Sequence, residues 1–551
     1  MSVRLCADEV QPLLISVTDE GHQYNTCPSP SLPPLHRCGS RQNHDIPAVM
    51  ISDHDEDDDE HDQDATIIDF DPNGDAENPL EWPTAFKWSI VTILAFMAFT
   101  VTMTCMSVVP LATDIVQELS GSDTPSKSAS VLLVTIWELG EAAGPLLIAP
   151  LSEMYGRYPV MNVCNVLFIA ATIMAASSQS VPQFIVARML TGLAVAGNVL
   201  NPAIVGDIFI SEQRGSAVSL IYLAPLVGGA VGPLIGSTLA QAMGWRKVVW
   251  MTALLATAGE VVMFLVFKET YKVAILRKRA EEMMQRGLCK NVKTLFDHES
   301  DMEVAALMGS PRGEKNGCKQ SALQKLRDSV LRPAYVLCGS GVLMAMSLFG
   351  AVIFTFFYVM STTFADILQN VYGLSPVAVG SCYASFTIGS TISVFICNHS
   401  LDRIYIRMRE THKGVSQPEF RLPLAIVGAF LLPIAVLLYG WIPQLQLPLV
   451  LLLLSVSFLG STLMLAMIPM MTYIVDAFGL YSASALTGVM VTRCLMGTFL
   501  PLSTAPLVEN FGYGWGFSVL AGLAFLMAPI PILMMRYGSR WRQFSKYSRE
   551  Q

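Results

Sequence analysis

Val131-Leu-Leu-Val-Thr-Ile-Trp-Glu138-Leu-Gly-Glu141-Ala-Ala-Gly-Pro-Leu-Leu-Ile-Ala-Pro150 is apolar apart from Thr135 and two glutamates. About 20 such residues let a helix cross a bilayer. Carboxylates at that depth are costly, and most of them serve a function. Residues three apart share a helix face. Two carboxylates so close in a low dielectric do not both ionise easily, which places one of them to take up and release a proton. The eight histidines, at 22, 36, 44, 54, 61, 298, 399 and 412, all lie outside the depths of apolar stretches. Proton traffic at membrane depth therefore falls to Glu138 and Glu141, with Glu260 in another stretch as a third candidate. The alternative is that these acids form fixed pairs or hydrogen bonds with neighbouring helices.

Outward from this stretch the pattern repeats. Apolar segments run over about 88–111, 129–151, 159–178, 182–205, 216–242, 247–267, 335–363, 377–399, 422–440, 447–473, 482–508 and 515–536. The predicted class is an all-α integral membrane protein with twelve transmembrane helices in two six-helix bundles. The bundles occupy 87–268 and 335–536, with a central loop over 269–334 and tails over 1–86 and 537–551. Composition agrees, since 52% of the 551 residues are hydrophobic, 14% are charged and the mean hydropathy is +0.48. A soluble protein of this size is richer in charge. The eleven cysteines show no C-x-x-C pair and no metal-ligand spacing, so neither a disulfide framework nor a bound metal is expected. No cofactor motif or nucleotide loop is present, and no enzymatic activity is expected.

The net charge of −9 has a local origin. Nine acids fall between Asp53 and Asp64; setting them aside leaves 35 acids against 35 Lys and Arg. Residues 1–86 read as a disordered acidic tail. With the N-terminus in the cytoplasm, the short inner loops hold Arg157, Arg214, Arg403, Arg407, Arg409, Lys413 and Arg421, while the outer loops hold only Lys127, Arg246 and Lys247. That bias places both termini inside. Asn398-His-Ser400 matches a glycosylation sequon but falls on the inner side, so it reads as a chance match.

The two halves echo one another. Asp207-Ile-Phe is followed by Ser216-Ala-Val-Ser-Leu220, and Asp476-Ala-Phe is followed by Ser482-Ala-Ser-Ala-Leu486. Leu151-Ser-Glu-Met-Tyr-Gly-Arg157 is matched by Leu401-Asp-Arg-Ile-Tyr-Ile-Arg407. Such echoes point to duplicated bundles related by an axis along the membrane normal.

These segments also carry a family likeness. Gly144-Pro-Leu-Leu-Ile-Ala-Pro-Leu-Ser-Glu-Met-Tyr-Gly-Arg157, Arg188-x-x-x-Gly192, Pro225-Leu-Val-Gly-Gly-Ala-Val-Gly-Pro233 with Gly236, and Tyr473-x-x-Asp476-Ala-Phe478 resemble the signatures of the major facilitator superfamily. Within it the chain is similar to the fungal twelve-span drug:proton antiporter group, in its polyamine and multidrug branch. Asn78-Pro-x-x-Trp82, Glu269-Thr-Tyr271, Arg332-Pro333 and Pro418-Glu-x-Arg-Leu422 fit the same group. Tyr158 departs from it, standing where the family often has a second Arg.

The resemblance implies that Arg188 faces a central cavity and assists proton exchange. It implies that Glu153, Gly156 and Arg157 latch the two halves when the cytoplasmic side closes, with Asp207, Arg214, Asp402, Arg403 and Asp476 as further gating candidates. Pro225, Gly228, Gly229, Gly232, Pro233 and Gly236 correspond to its antiport motif, whose small residues serve either a seal between halves or plain helix packing. Arg493 has no acid in its own span, so its partner must come from another helix or from the cavity. Phe354, Phe356, Phe357, Tyr358 and Phe364 either line a ligand cavity or pack against helices and lipid.

The expected function is proton-coupled export of small amphiphilic compounds by a monomeric plasma-membrane carrier, the vacuolar membrane being the alternative site. Its expected partners are a small-molecule substrate, protons and the lipid bilayer, with no nucleic acid. Uptake of a polyamine or nutrient by the same acids, and a non-transporting sensor, are the competing readings.

Overall fold

Among the described residues, ten helical runs are apolar and long enough to cross a bilayer. They belong to a computed structural model that describes residues 66–71, 74–121, 126–195, 197–210, 213–286, 292–294, 322–412, 414, 417–545 and 547. All of these lie in one unit, Ala48–Gln551. The acidic run 53–64 lies outside the described residues.

The first half comprises α1 (Thr84–Ser107), α2 (Ala112–Ser120), α3 (Lys127–Tyr155), α4 (Arg157–Ala176), α5 (Val181–Leu193), α6 (Gly197–Ile208), α7 (Arg214–Met243) and α8 (Trp245–Val266). Between the halves lie α9 (Lys272–Gln285) and α10 (Ala322–Cys338). The second half comprises α11 (Gly341–Asn370), α12 (Pro376–Cys382), α13 (Ala384–Thr411), α14 (Pro423–Gln444), α15 (Leu449–Phe478), α16 (Ser482–Phe499), α17 (Thr504–Met527) and α18 (Ile530–Arg542). The fourth expected span is broken into α5 and α6, each too short to cross by itself. The eleventh and twelfth fall in one helical run, Ser482–Arg542, kinked at Gly512, where φ is +73°. The ends of α3, α6 and α8 meet through Arg157, Asp207 and Glu269, and in the second half Asp402 and Asp476 meet through Arg421; this end is called the terminal face below.

Several buried threonine hydroxyls are satisfied within their own helices. Thr100, Thr104, Thr172 and Thr355 each donate to the carbonyl four residues back. This is the usual solution where no water competes. Pro110 cannot donate a backbone N–H, and α1 gives way there to a short 3-10 turn, Val109–Leu111, before α2.

The glycines of the fifth expected span pack inside the first half. A Cβ at Gly228 would lie 2.7 Å from the Phe99 carbonyl oxygen, and one at Gly236 would lie 2.5 Å from that of Ser107. Gly232 faces the Met103 carbonyl in the same way. Gly228, Gly232 and Gly236 thus pack α7 on α1 within the first half. Gly229 stands apart, with nothing within 4 Å, and faces the central cavity. A contact between halves does form near Pro233, but its small residue is contributed by α12. A Cβ at Gly380 would lie 2.5 Å from the Pro233 carbonyl and 2.8 Å from Ser237 Oγ. At the face opposite the termini, Lys127 and Glu509 add an exposed 3.3 Å ion pair across the halves.

The expected tail differs from the structure over its last twenty or so residues. Thr66–Ile68 pairs in parallel with Val292–Thr294. Phe70 packs on Leu276 and Ala280 of α9. The first transmembrane helix starts at Thr84. These residues are ordered by partners some 200 positions away, which local composition does not reveal.

Candidate functional site

A cavity of about 360 Å³ lies between the halves. Aromatic and methionine side chains contribute much of its wall, among them Trp137, Phe168, Phe357, Phe386, Met161 and Met464. The polar groups reaching it include Glu138, Glu141, Arg493, Asn165 and Asn201.

Glu138 and Glu141 project from one face of α3. Glu138 is 1% exposed. Its Oε1 accepts a 2.6 Å hydrogen bond from the Tyr358 hydroxyl on α11. Glu141 Oε1 stands 3.6 Å from Arg493 Nη2 on α16, and its Oε2 accepts from Trp137 Nε1 at 3.3 Å. The Arg493 guanidinium also lies 4.1 Å from the centre of the Phe354 ring, a favourable seat for a cation. Each carboxylate thus contacts the opposite half: Arg493 finds its acid on another helix, and the paired glutamates join the two bundles.

Arg188 is 2% exposed and is held without a carboxylate within ion-pair distance among the described residues. It donates to the carbonyls of Thr104 at 3.4 Å and Cys105 at 3.2 Å, and it lies 4.7 Å over Trp137. Those carbonyls belong to the last turn of α1, whose final four carbonyls lack partners within the helix. The negative end of the α1 dipole stabilises the same cation. Arg188 therefore abuts the cavity wall through Trp137 and Cys105. Glu260 stands behind the wall, where its Oε2 accepts a 2.7 Å bond from the cavity residue Asn165. Of the seventh-span aromatics, Phe354, Phe357 and Tyr358 line the cavity, while Phe356 and Phe364 are buried in packing.

A second set of groups gathers at the terminal face. Arg157 donates to Ser152 Oγ at 2.5 Å and to Asp207 Oδ2 at 3.5 Å. Its guanidinium sits 4.6 Å over Tyr271. Thr270 Oγ1 also donates to Asp207. Glu269 organises this region: its carboxylate accepts from the backbone N–H groups of Arg157 and Tyr158, which open α4. It also accepts from Thr270 and Tyr271, which lead into α9. One acid thus caps two helix starts. Gly156 has φ +97°, and a Cβ there would collide with Glu269 Oε2. In this conformation every one of these Arg157 partners lies in the first half or at its junction with α9. Glu153 is exposed on the last turn of α3. Arg214 turns away from Asp207 and donates to the carbonyls of Phe209 and Gly206.

The second half repeats the device with another cation. Arg421 bridges Asp402 at 2.5 Å and Asp476 at 3.0 Å, whereas Arg403 is exposed outside this bridge. Sequence reasoning singled out Arg403 for its place in the echoed motif; only the folded turn before α14 brings Arg421 between the acids. Glu269 and Tyr358 were visible as motif and aromatic residues but carried no assigned contact.

The N-terminal segment is fastened to α9. Arg279 donates two hydrogen bonds to Asp75, at 2.8 and 3.2 Å, and two to Glu77. Burial by itself would raise the Asp75 pKa, but Arg279 and the Glu77 amide outweigh it and hold the carboxyl below its ordinary value. A lowered folded-state pKa gives stability above the unfolded pKa, and that stability is lost as pH falls through the folded value. Arg279→Ala is therefore expected to speed amide hydrogen exchange at residues 74–82 at neutral pH. In the native protein, intrinsic-rate-corrected protection there should persist at neutral pH and drop only below about pH 4, the ordinary carboxylate range.

Residues 89–501 match the model of the Major Facilitator Superfamily. The chain belongs to this superfamily. Its relatives there include fungal transporters. The efflux pump radE of Floropilus chiversii is 33% identical over 89% of this chain and 87% of its own. The MFS-type transporter penM of Penicillium rubens is 30% identical over 88% and 91%. Among solved superfamily structures, a D-xylose-proton symporter aligns at TM-score 0.58 with 16% identity, covering 82% of this chain and 97% of that one. The inward-open xylose transporter XylE from E. coli aligns at 0.56 with 14% identity, covering 81% and 96%. The superfamily fold expected from the motifs is thereby established, and the protein is a multi-pass membrane transporter.

Proposed function

We propose that this transporter exports small amphiphilic organic compounds in exchange for protons, by alternating access between two bundles. One observation carries the reading: two buried acids, Glu138 and Glu141, contact the opposite half while facing the cavity. A proton arriving at either acid weakens a contact between the halves, so occupancy and conformation are linked. The aromatic and methionine walls suit flat or bulky apolar cargo, and Arg493, Asn165 and Asn201 supply a few orienting groups. Export is the direction named for the radE relative. The Lys and Arg bias supports placing the terminal face in the cytoplasm, with the plasma membrane as the site and a monomer as the working unit.

Purified protein in proteoliposomes tests the direction. A panel of fluorescent aromatic amphiphiles, cationic, neutral and anionic, is loaded inside or outside, and a pH gradient is imposed. At least one compound should move opposite to the proton flow and stop when a protonophore collapses the gradient. Movement of compounds with the protons would establish symport instead, and flux indifferent to the gradient would remove coupling.

A further inference from the structure

We propose that the cavity holds a site for one thiophilic divalent cation, Zn2+ or Cd2+, between Glu138, Glu141 and Cys494, which deepens the reading of the same cavity. One ligand atom from each of these buried residues lies within 4.8 Å of the other two. Cysteine and carboxylate ligands at a zinc ion sit at about 2.3 and 2.0–2.2 Å, which in a tetrahedron separates them by about 3.5 Å. Closing the present arrangement requires each side chain to move by roughly an ångström, within ordinary rotamer adjustment.

An independent observation points to a ligand. Glu138 Oε2 is buried, in a residue 1% exposed, and accepts no hydrogen bond from an N–H or O–H group; the Cys494 thiol, a weak donor, reaches the same carboxylate. It points at α16: a Cβ on Gly497, three residues after Cys494, would lie 3.4 Å from it. Meanwhile Oε1 of the same carboxylate is fixed by Tyr358. A hydrogen bond that orients one carboxylate oxygen and leaves the other open is the arrangement that supports metal ligation. Arg493 similarly stands beside Glu141 Oε1.

Charge also fits. Two carboxylates, one thiolate and a divalent cation together carry one negative charge, which Arg493 balances. The buried assembly is neutral, which avoids the penalty of an uncompensated charge. Binding displaces the Cys494 thiol proton, as Cys–SH + M2+ gives Cys–S–M+ + H+, together with any proton held by the glutamates. Affinity should therefore fall as pH falls. Three protein ligands leave the fourth position open to the cavity. Because α3 and α16 belong to different halves, the ion staples them and arrests alternation.

Cd2+ is the probe, added to the purified full-length protein in detergent. The expected result is an ultraviolet thiolate-to-Cd2+ charge-transfer band that saturates at one ion per chain and is reversed by Zn2+. Cys494→Ser should abolish the band, and Glu138→Gln should weaken binding at least tenfold. In proteoliposomes, Cd2+ should slow native transport at least tenfold, and the ratio of rates with and without Cd2+ should return to about one in Cys494→Ser. A band of the same size in Cys494→Ser, or undiminished binding in Glu138→Gln, overturns the site. If Cys494→Ser does not fold, the Glu138→Gln titration decides alone. Proton coupling is read separately, in metal-free buffer, so loss of the metal site leaves that reading standing.

Discussion

Glu138→Gln is expected to abolish accumulation driven by a pH gradient while exchange of substrate across the membrane continues. The substitution keeps the side-chain volume, and the glutamine carbonyl can still accept from the Tyr358 hydroxyl that now bonds Oε1 at 2.6 Å. The contact between α3 and α11 therefore survives, and so does the fold. What disappears is a group that can be neutral in one state and charged in another. With no differential proton affinity, a gradient cannot bias the two conformations. Counterflow, which needs alternation but no net driving force, separates the two effects. Gradient-driven accumulation should fall at least tenfold with counterflow still measurable. Full gradient-driven accumulation in this variant would remove Glu138 from coupling. The contrast with Glu141 sharpens the test. Glu141 faces Arg493, whose side chain is 19% exposed, and removing one partner of a buried pair costs up to about 3–5 kcal/mol. The 3.6 Å separation places the true cost below that range. Glu141→Gln is accordingly expected to lower stability as well as coupling.

The fold was legible in the sequence for a simple reason. A helix in lipid must satisfy its own backbone, so runs of about 20 apolar residues have few other outcomes. Glu138 and Glu141 were legible on the same ground, since their cost is set by depth and not by tertiary detail. The fourth span shows the limit: it reads as one largely apolar stretch, with Arg188, Asn198 and Asn201 inside it, yet it breaks between α5 and α6. The sites that escaped are those made by distant residues. Tyr358 lies 220 positions from Glu138, Glu269 lies 112 from Arg157, and Arg279 lies 204 from Asp75. Arg403, which stands opposite Glu153 in the echoed turn, is exposed, and Arg421 bridges Asp402 and Asp476 from another element. Repeated motifs preserve where a charge is needed more faithfully than which residue supplies it.

Gly156→Ala should be among the most damaging single-methyl changes at the terminal face. Two separate costs meet there. The backbone has φ +97° and ψ 165°, a region open almost only to glycine, and forcing another residue into it costs about 1–3 kcal/mol. The added Cβ also collides with Glu269 Oε2, so the carboxylate must withdraw from the α4 amides, at about 0.5–2 kcal/mol per lost cap. Arg157 would lose the backbone anchor that holds its guanidinium near Asp207 and over Tyr271. The expected outcome is a melting temperature several degrees lower for the purified protein and a transport rate reduced more than substrate affinity. A double-mutant cycle isolates the mechanism. In a Glu269→Ala background the steric cost is already gone, so Gly156→Ala should cost only the backbone strain. The two substitutions together should then be less damaging than the sum of each alone, by roughly the value of a cap. Strict additivity would show that Gly156 acts through its own dihedral angles and that Glu269 does not bind the turn to α9.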